Sequence, residues 1–165
     1  MGLGLRHLRI AALPAVLAIV PVAGNQVLAA GLERPTEPAK PRNVDYDNGK
    51  KLVEQAKYRD AIPLLQKAVQ TEPRNADAYN LLGFATRKSG DPRGSLQYYN
   101  QALSIDPKHL GAHEYSGEAY LMLGDVKKAE EHLARLDSLC MFGCSEYRML
   151  RDAITAFKQG KRPGT

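Results

Sequence analysis

Gly49, Gly83 and Gly117 stand 34 residues apart, and a chain that returns to the same residue at that step reads as a stack of equal units rather than as one irregular core. Other positions keep the step. Ala61, Ser95 and Ala129 mark one small site, Leu65, Tyr99 and Leu133 mark one large apolar site, Ala68 returns as Ala102, and Pro73 returns as Pro107. Inside each step the apolar residues fall at helical spacing, with Tyr79, Leu82 and Thr86 on one stripe and Leu96, Tyr99 and Leu103 on another. Gly90, Asp91 and Pro92 supply a helix-ending glycine, a capping carboxylate and a proline for the first helical position, and Gly124 with Asp125 repeats most of that pattern. Each unit is therefore expected to be two antiparallel helices closed by a short turn.

The units run over 42–75, 76–109 and 110–143. The middle one, through Tyr79, Leu82, Gly83, Tyr99, Ala102 and Pro107, resembles the tetratricopeptide repeat family site by site. That resemblance implies an all-α fold, an α-solenoid of three helix-turn-helix repeats. The first unit departs from the pattern at Asp45 and Asn48, where the family carries large apolar residues, so its first helix is expected to pack loosely. In the third, Leu136 replaces the small residue and Met141 replaces the closing proline. Beyond it, Tyr147, Leu150, Ile154 and Phe157 recur at helical spacing while Glu146, Arg148, Arg151 and Asp152 take the side given to water. This predicts a capping helix over 145–158, which a repeat stack needs to cover its last apolar face.

The chain outside the repeats is of another kind. Arg6, His7 and Arg9 precede an uncharged run from Ile10 to Gly24, and Val27 with Ala29 offers small residues at the spacing a signal peptidase reads. Residues 1–29 are expected to be a cleaved secretory signal, because the run falls short of the roughly 20 apolar residues of a membrane span. Pro35, Pro38 and Pro41 make 30–42 an extended linker, and 159–165 is a short basic tail. Of 23 basic residues the leader removes Arg6 and Arg9, leaving 21 against 18 acidic ones. So mild a charge, interspersed along the helices, argues against nucleic acid as a partner and for no stable membrane span after cleavage. The expected location is the periplasm or the exterior of a bacterial-type cell.

Cys140 and Cys144 are the only cysteines, at the joint between the third unit and the capping helix. An oxidising compartment favours a structural disulfide across the Gly143 turn. Two other uses stay open. The C-x3-C spacing resembles the copper site of periplasmic copper-delivery proteins, with His132 as a third ligand, and a labile disulfide can exchange thiols. His109 and His113 share a helix face, but Leu110 stands where a zinc-protease helix needs glutamate, and His113 falls at a packing site. No phosphate loop or hydrolase elbow occurs, so no catalytic constellation and no cofactor is expected.

The tetratricopeptide resemblance also implies a ligand-facing groove lined by the first helices. Carried over site by site, it selects Tyr46 and Lys50 in the first unit; Asn80, Phe84, Arg87 and Lys88 in the second; and Glu114, Glu118 and Leu121 in the third. The groove is expected to be basic in its middle and acidic at its end, with Arg87 a mainly exposed charge. The family's clamp for a terminal carboxylate needs lysine and asparagine where Tyr46 and Lys50 stand, so that ligand is disfavoured. The expected function is a noncatalytic scaffold for a protein or peptide segment, with self-association through an incompletely covered end as a further possibility. The alternative is a metal or thiol-redox accessory protein using Cys140 and Cys144.

Overall fold

The structure, a computed structural model, describes residues 42–141 and 143–161. The leader expected over 1–29, nearly all of the linker over 30–42 and the end of the tail over 159–165 lie outside the described residues. Among the described residues there are seven helices: α1 (Val44–Glu54), α2 (Tyr58–Thr71), α3 (Ala76–Lys88), α4 (Pro92–Ile105), α5 (Leu110–Met122), α6 (Val126–Leu139) and α7 (Ser145–Lys158). They form an all-α solenoid of three helix-turn-helix repeats, with α7 as the capping helix.

Local chemistry sets where each helix begins. Asn43, Asn75 and His109 precede the first helices of the three units, and their side chains accept the backbone N–H of Tyr46, Ala78 and Ala112. Asp91 and Asp125 do the same for α4 and α6 through Gly94 and Lys128. These caps satisfy donors that a helix start leaves without an intrahelical partner. The turn inside each unit passes through one left-handed residue, Ala56 at φ 58°, Gly90 at φ 104° and Gly124 at φ 82°. Glycine takes that conformation freely, whereas an L side chain pays for it in steric crowding.

Packing follows the glycines. A Cβ on Gly49 would stand 2.7 Å from Leu65 Cγ, and one on Gly83 would stand 2.6 Å from Tyr99 Cε1. Gly117 meets a different partner from the one the step predicts. Its open side receives Leu150 of α7, not Leu133 of α6. Tyr147, Leu150 and Ile154 stand one step after His113, Ser116 and Tyr120, so α7 follows in the register of a further first helix. Leu150 and Ile154 then join Leu121, Ala129 and Leu136 in one core cluster, while Ala61, Leu65, Val69, Ala78, Leu82 and Ala85 form another. In α1 only Gly49 is buried, in line with the loose packing expected from Asp45 and Asn48.

Among the described residues α1, α3, α5 and α7 each contact the next, whereas α2, α4 and α6 make no contact with one another. The first helices crowd together and the second helices splay, which puts the concave face on α1, α3 and α5. At the far end the sulfurs of Cys140 and Cys144 lie at bonding distance with their Cα atoms 5.5 Å apart. This disulfide joins the last turn of α6 to the start of α7, and Gly143 at φ 75° makes the turn between them.

The left-handed turn of the first unit generates a direct test. Replacing Ala56 by glycine should raise stability by roughly 0.5–1 kcal/mol, read as a higher urea midpoint at unchanged slope.

Candidate functional site

Arg87 is the centre of the concave face. It sits one turn after Phe84 on α3, and its guanidinium lies 5.5 Å from the ring centroids of both Phe84 and Tyr115. Its Nε donates to the Tyr99 hydroxyl at 3.4 Å, and its Nη2 stands 2.6 Å from Glu118 Oε2. Rings extend the cluster across the units, with centroids 5.9 Å apart for Tyr58 and Phe84, 4.9 Å for Phe84 and Tyr115, and 6.2 Å for Tyr99 and Tyr115. Burial opposes the charge on Arg87, yet Tyr99 and Glu118 outweigh it and hold the guanidinium above its ordinary pKa. The arginine is a charged rivet between the second and third units.

That corrects one expectation outright, because Arg87 is 2% exposed and not a mainly exposed charge. A second correction concerns Leu121, which is 1% exposed and packs in the core that α5 shares with α7. It lies beneath the face because the capping helix crosses α5 there. Tyr46, Asn80, Phe84, Lys88 and Glu118 are half-buried and Lys50 is exposed. The basic middle of the groove is also weaker than its residues suggest, since Glu118 neutralises Arg87, and Lys88 Nζ lies 6.0 Å over the Tyr58 ring.

Glu114 is 3% exposed, one turn before Glu118 on α5. Burial, then the negative charges of Glu118 and Glu146, push its carboxyl up to about 8 against a smaller pull from Arg87. Among the described residues no hydrogen bond or ion pair reaches it. Asn80 Oδ1 on α3 is likewise buried without a partner. Two members of this face escaped the sequence reading. Tyr115 stands one step after Leu81, a site whose class gives no hint of a ring stacked on an arginine, and Glu146 had been assigned to water.

Elsewhere in the third unit His113 Nδ1 and His132 Nδ1 are 3.0 Å apart, and the Tyr120 ring stacks on His132 at 5.7 Å. His113 Nε2 lies 3.1 Å from the Pro107 carbonyl oxygen, which can only accept, so His113 carries its proton there and receives one from His132 Nδ1. Burial and then His113 push His132 down to about 4. His132 is thus committed to His113 rather than to the cysteines. His109 is separate, accepting from Ala112 and facing Asp77 Oδ1 at 3.1 Å. Among the described residues no three His, Cys, Asp or Glu side chains gather at metal-binding spacing.

Two tests follow from these geometries. Removing either Arg87 (to Met) or Glu118 (to Gln) leaves a partner stranded and should cost about 3 kcal/mol, with the double variant costing less than the sum. Chemical unfolding of the four proteins measures this. For pH, the folded value of His132 near 4 lies below its ordinary 6.5, so its contribution is full above 6.5 and is lost as pH falls toward 4. Glu114 acts in reverse, raised from 4.5 to about 8, so its contribution is lost as pH rises through 8. The measured stability should fall on the alkaline side from pH 6.5 to 8 in a way that Glu114→Gln flattens and His132→Gln does not.

Comparison with known proteins agrees with this architecture. Two sequence families, each described as Tetratricopeptide repeat, match residues 46–107 and 86–154. The Homo sapiens Protein O-mannosyl-transferase TMTC3 is 32% identical over 76 residues, 46% of this chain and 8% of that protein. Tetratricopeptide repeat protein 36 of Danio rerio is 37% identical over 59 residues, 36% of this chain and 32% of that protein. The chain therefore spans well under half the length of these relatives. Of solved structures, MamA from Desulfovibrio magneticus RS-1 superposes with a TM-score of 0.56 at 28% identity, covering 58% of this chain and 54% of the other. The first TPR of Spaghetti (RPAP3) bound to the HSP90 peptide SRMEEVD gives 0.63 at 21% identity, covering 70% and 91%. The Yersinia enterocolitica chaperone SycD in complex with a peptide of the translocator YopD gives 0.61 at 18% identity, covering 70% and 88%. The last two likenesses speak to the fold alone. With its 34-residue period, its paired helices and two matches that together cover residues 46–154, the chain belongs to the tetratricopeptide repeat family.

Proposed function

We propose that this chain is a noncatalytic binding module that holds a peptide or protein segment on the concave face of α1, α3 and α5. The observation that carries the reading is the half-buried pair Phe84 and Tyr115, packed ring against ring with the Arg87 guanidinium beside both. Rigid rings beside a fixed arginine are the side chains that anchor protein interfaces, because little motion is left to freeze when a partner arrives. Lys50, Lys88 and Glu118 around them supply charge for selectivity, and the face offers shape and charge rather than a nucleophile with its base. The peptide complexes of Spaghetti and SycD support the reading, since the fold they share with this chain carries a peptide in each. Tyr46 and Lys50 still depart from the terminal-carboxylate clamp, so the ligand is an internal or differently charged segment.

The same proposal places the protein beyond the cytoplasm, in a periplasm or outside the cell. The uncharged run from Ile10 to Gly24 and the bonded pair Cys140 and Cys144 support that location together, because such bonds persist where the surroundings oxidise thiols.

Affinity capture from an envelope extract tests the groove. Phe84→Ala should reduce recovery of a defined partner roughly tenfold or more while keeping the helical circular dichroism of the parent. Cys140→Ser/Cys144→Ser should lower stability and retain the partner. Equal recovery by a folded Phe84→Ala protein would remove the concave face as the binding surface.

A further inference from the structure

We propose that the bound segment carries a lysine or arginine side chain, seated against Glu114, Glu118 and Glu146 where α5 meets α7. This rests on the concave-face reading above and names the chemistry of its ligand. Glu118 on the same helix and Glu146 on α7 both act electrostatically on Glu114, where Leu150 of α7 packs against Gly117 of α5. Glu114 and Glu118 are one turn apart on α5, and Glu146 lies in the first turn of α7. The nearby arginine, Arg87, is spent on Glu118 at 2.6 Å. Glu114 is left 3% exposed with no hydrogen bond or ion pair among the described residues; Asn80 of α3, whose amide lies against Gly111 in the first turn of α5, has its Oδ1 buried and unpartnered as well.

At neutral pH Glu114 still holds its proton; once that proton leaves, its carboxylate and Asn80 Oδ1 are both acceptors without a donor. A buried polar group without a partner costs free energy that a ligand can recover. The carboxyls are not gathered tightly enough for a metal ion, whereas an ammonium or guanidinium on a flexible stem brings several N–H donors and one positive charge. An acidic segment would meet like charges, the opposite of a clamp for a terminal carboxylate.

Proton exchange gives the site a signature. The groups facing Glu114 are Glu118 and Tyr115 on its own helix, Arg87 on α3 and Glu146 on α7. Tyr115 is raised by burial and stays neutral, and Arg87 stays charged. With Glu114 held near 8, the free protein keeps a proton that an arriving cation displaces. Affinity for a basic segment therefore rises with pH between 6 and 8, by up to about tenfold per unit.

The test is selection of a phage-displayed random dodecapeptide library on the chain, followed by binding of the winning peptides as synthetic compounds. The expected result is binders that depend on Phe84 and are enriched in lysine or arginine at one position. Replacing that residue by norleucine should weaken binding roughly tenfold. Glu114→Gln should weaken it similarly and abolish its rise with pH, while a merely structural role for Glu114 would leave the pH profile of binding unmoved; Glu146→Gln repeats the test from the other helix. Phe84-dependent binders with acidic or uncharged residues at that position overturn the basic-residue assignment and leave the groove reading intact. If no binder depends on Phe84, the groove reading falls, and this inference falls with it.

Discussion

Where Leu65 crosses α1, Tyr99 crosses α3 and Leu150 crosses α5, a large side chain has to reach the backbone of the first helix, and Gly49, Gly83 and Gly117 leave it the room. Everything else in the stack is conditional on those three crossings. They set the distance between helices, and through it the crowding of first helices and the splay of second ones that makes one face concave. Each unit meets only its neighbours, so the core is a run of short interfaces rather than one interior, and it needs a helix beyond the last unit to finish it. Leu150 does that by taking the register of a further repeat.

The second and third units are held by a polar joint as well as an apolar one. Arg87 reaches across to Glu118, Tyr115 and Tyr99, and its charge is retained in a place where an isolated cation would be costly. The joint thus lies at the surface proposed to meet a partner. Side chains that rivet the stack are also those that keep the rings of Phe84 and Tyr115 still, so binding and stability draw on the same contacts. The adjoining Glu114 is the exception, buried next to two other carboxyls without a partner of its own.

What could be read from the sequence was whatever is local along it. The period, the turn at Gly90 and Gly124, and the caps at Asp91 and Asp125 depend on residues a few positions apart, and they place the helix pairs and their order. Burial depends on what arrives from another unit. Arg87 looked exposed because Glu118 and Tyr115 come from the following repeat, and Leu121 looked ligand-facing because α7 was not known to cross α5. Ala56 shows the same limit in reverse. Its left-handed turn is inherited from the geometry of the repeat, and alanine itself carries no sign of it.

The bond between Cys140 and Cys144 spans a sequence separation of only 4. Its two thiols meet by local chain motion, on a timescale of roughly nanoseconds to tens of nanoseconds, so the oxidant rather than the search for a fold limits how fast it closes. In oxidising surroundings it can form on a chain that has not yet assembled any repeat. The direction in which the polypeptide leaves α6 is then restricted before α5 exists to receive Leu150. A reducing compartment would leave that same docking to the apolar face of α7, led by Leu150 and Ile154, so the redox history of the chain decides whether its last helix arrives pre-aimed or has to find its place.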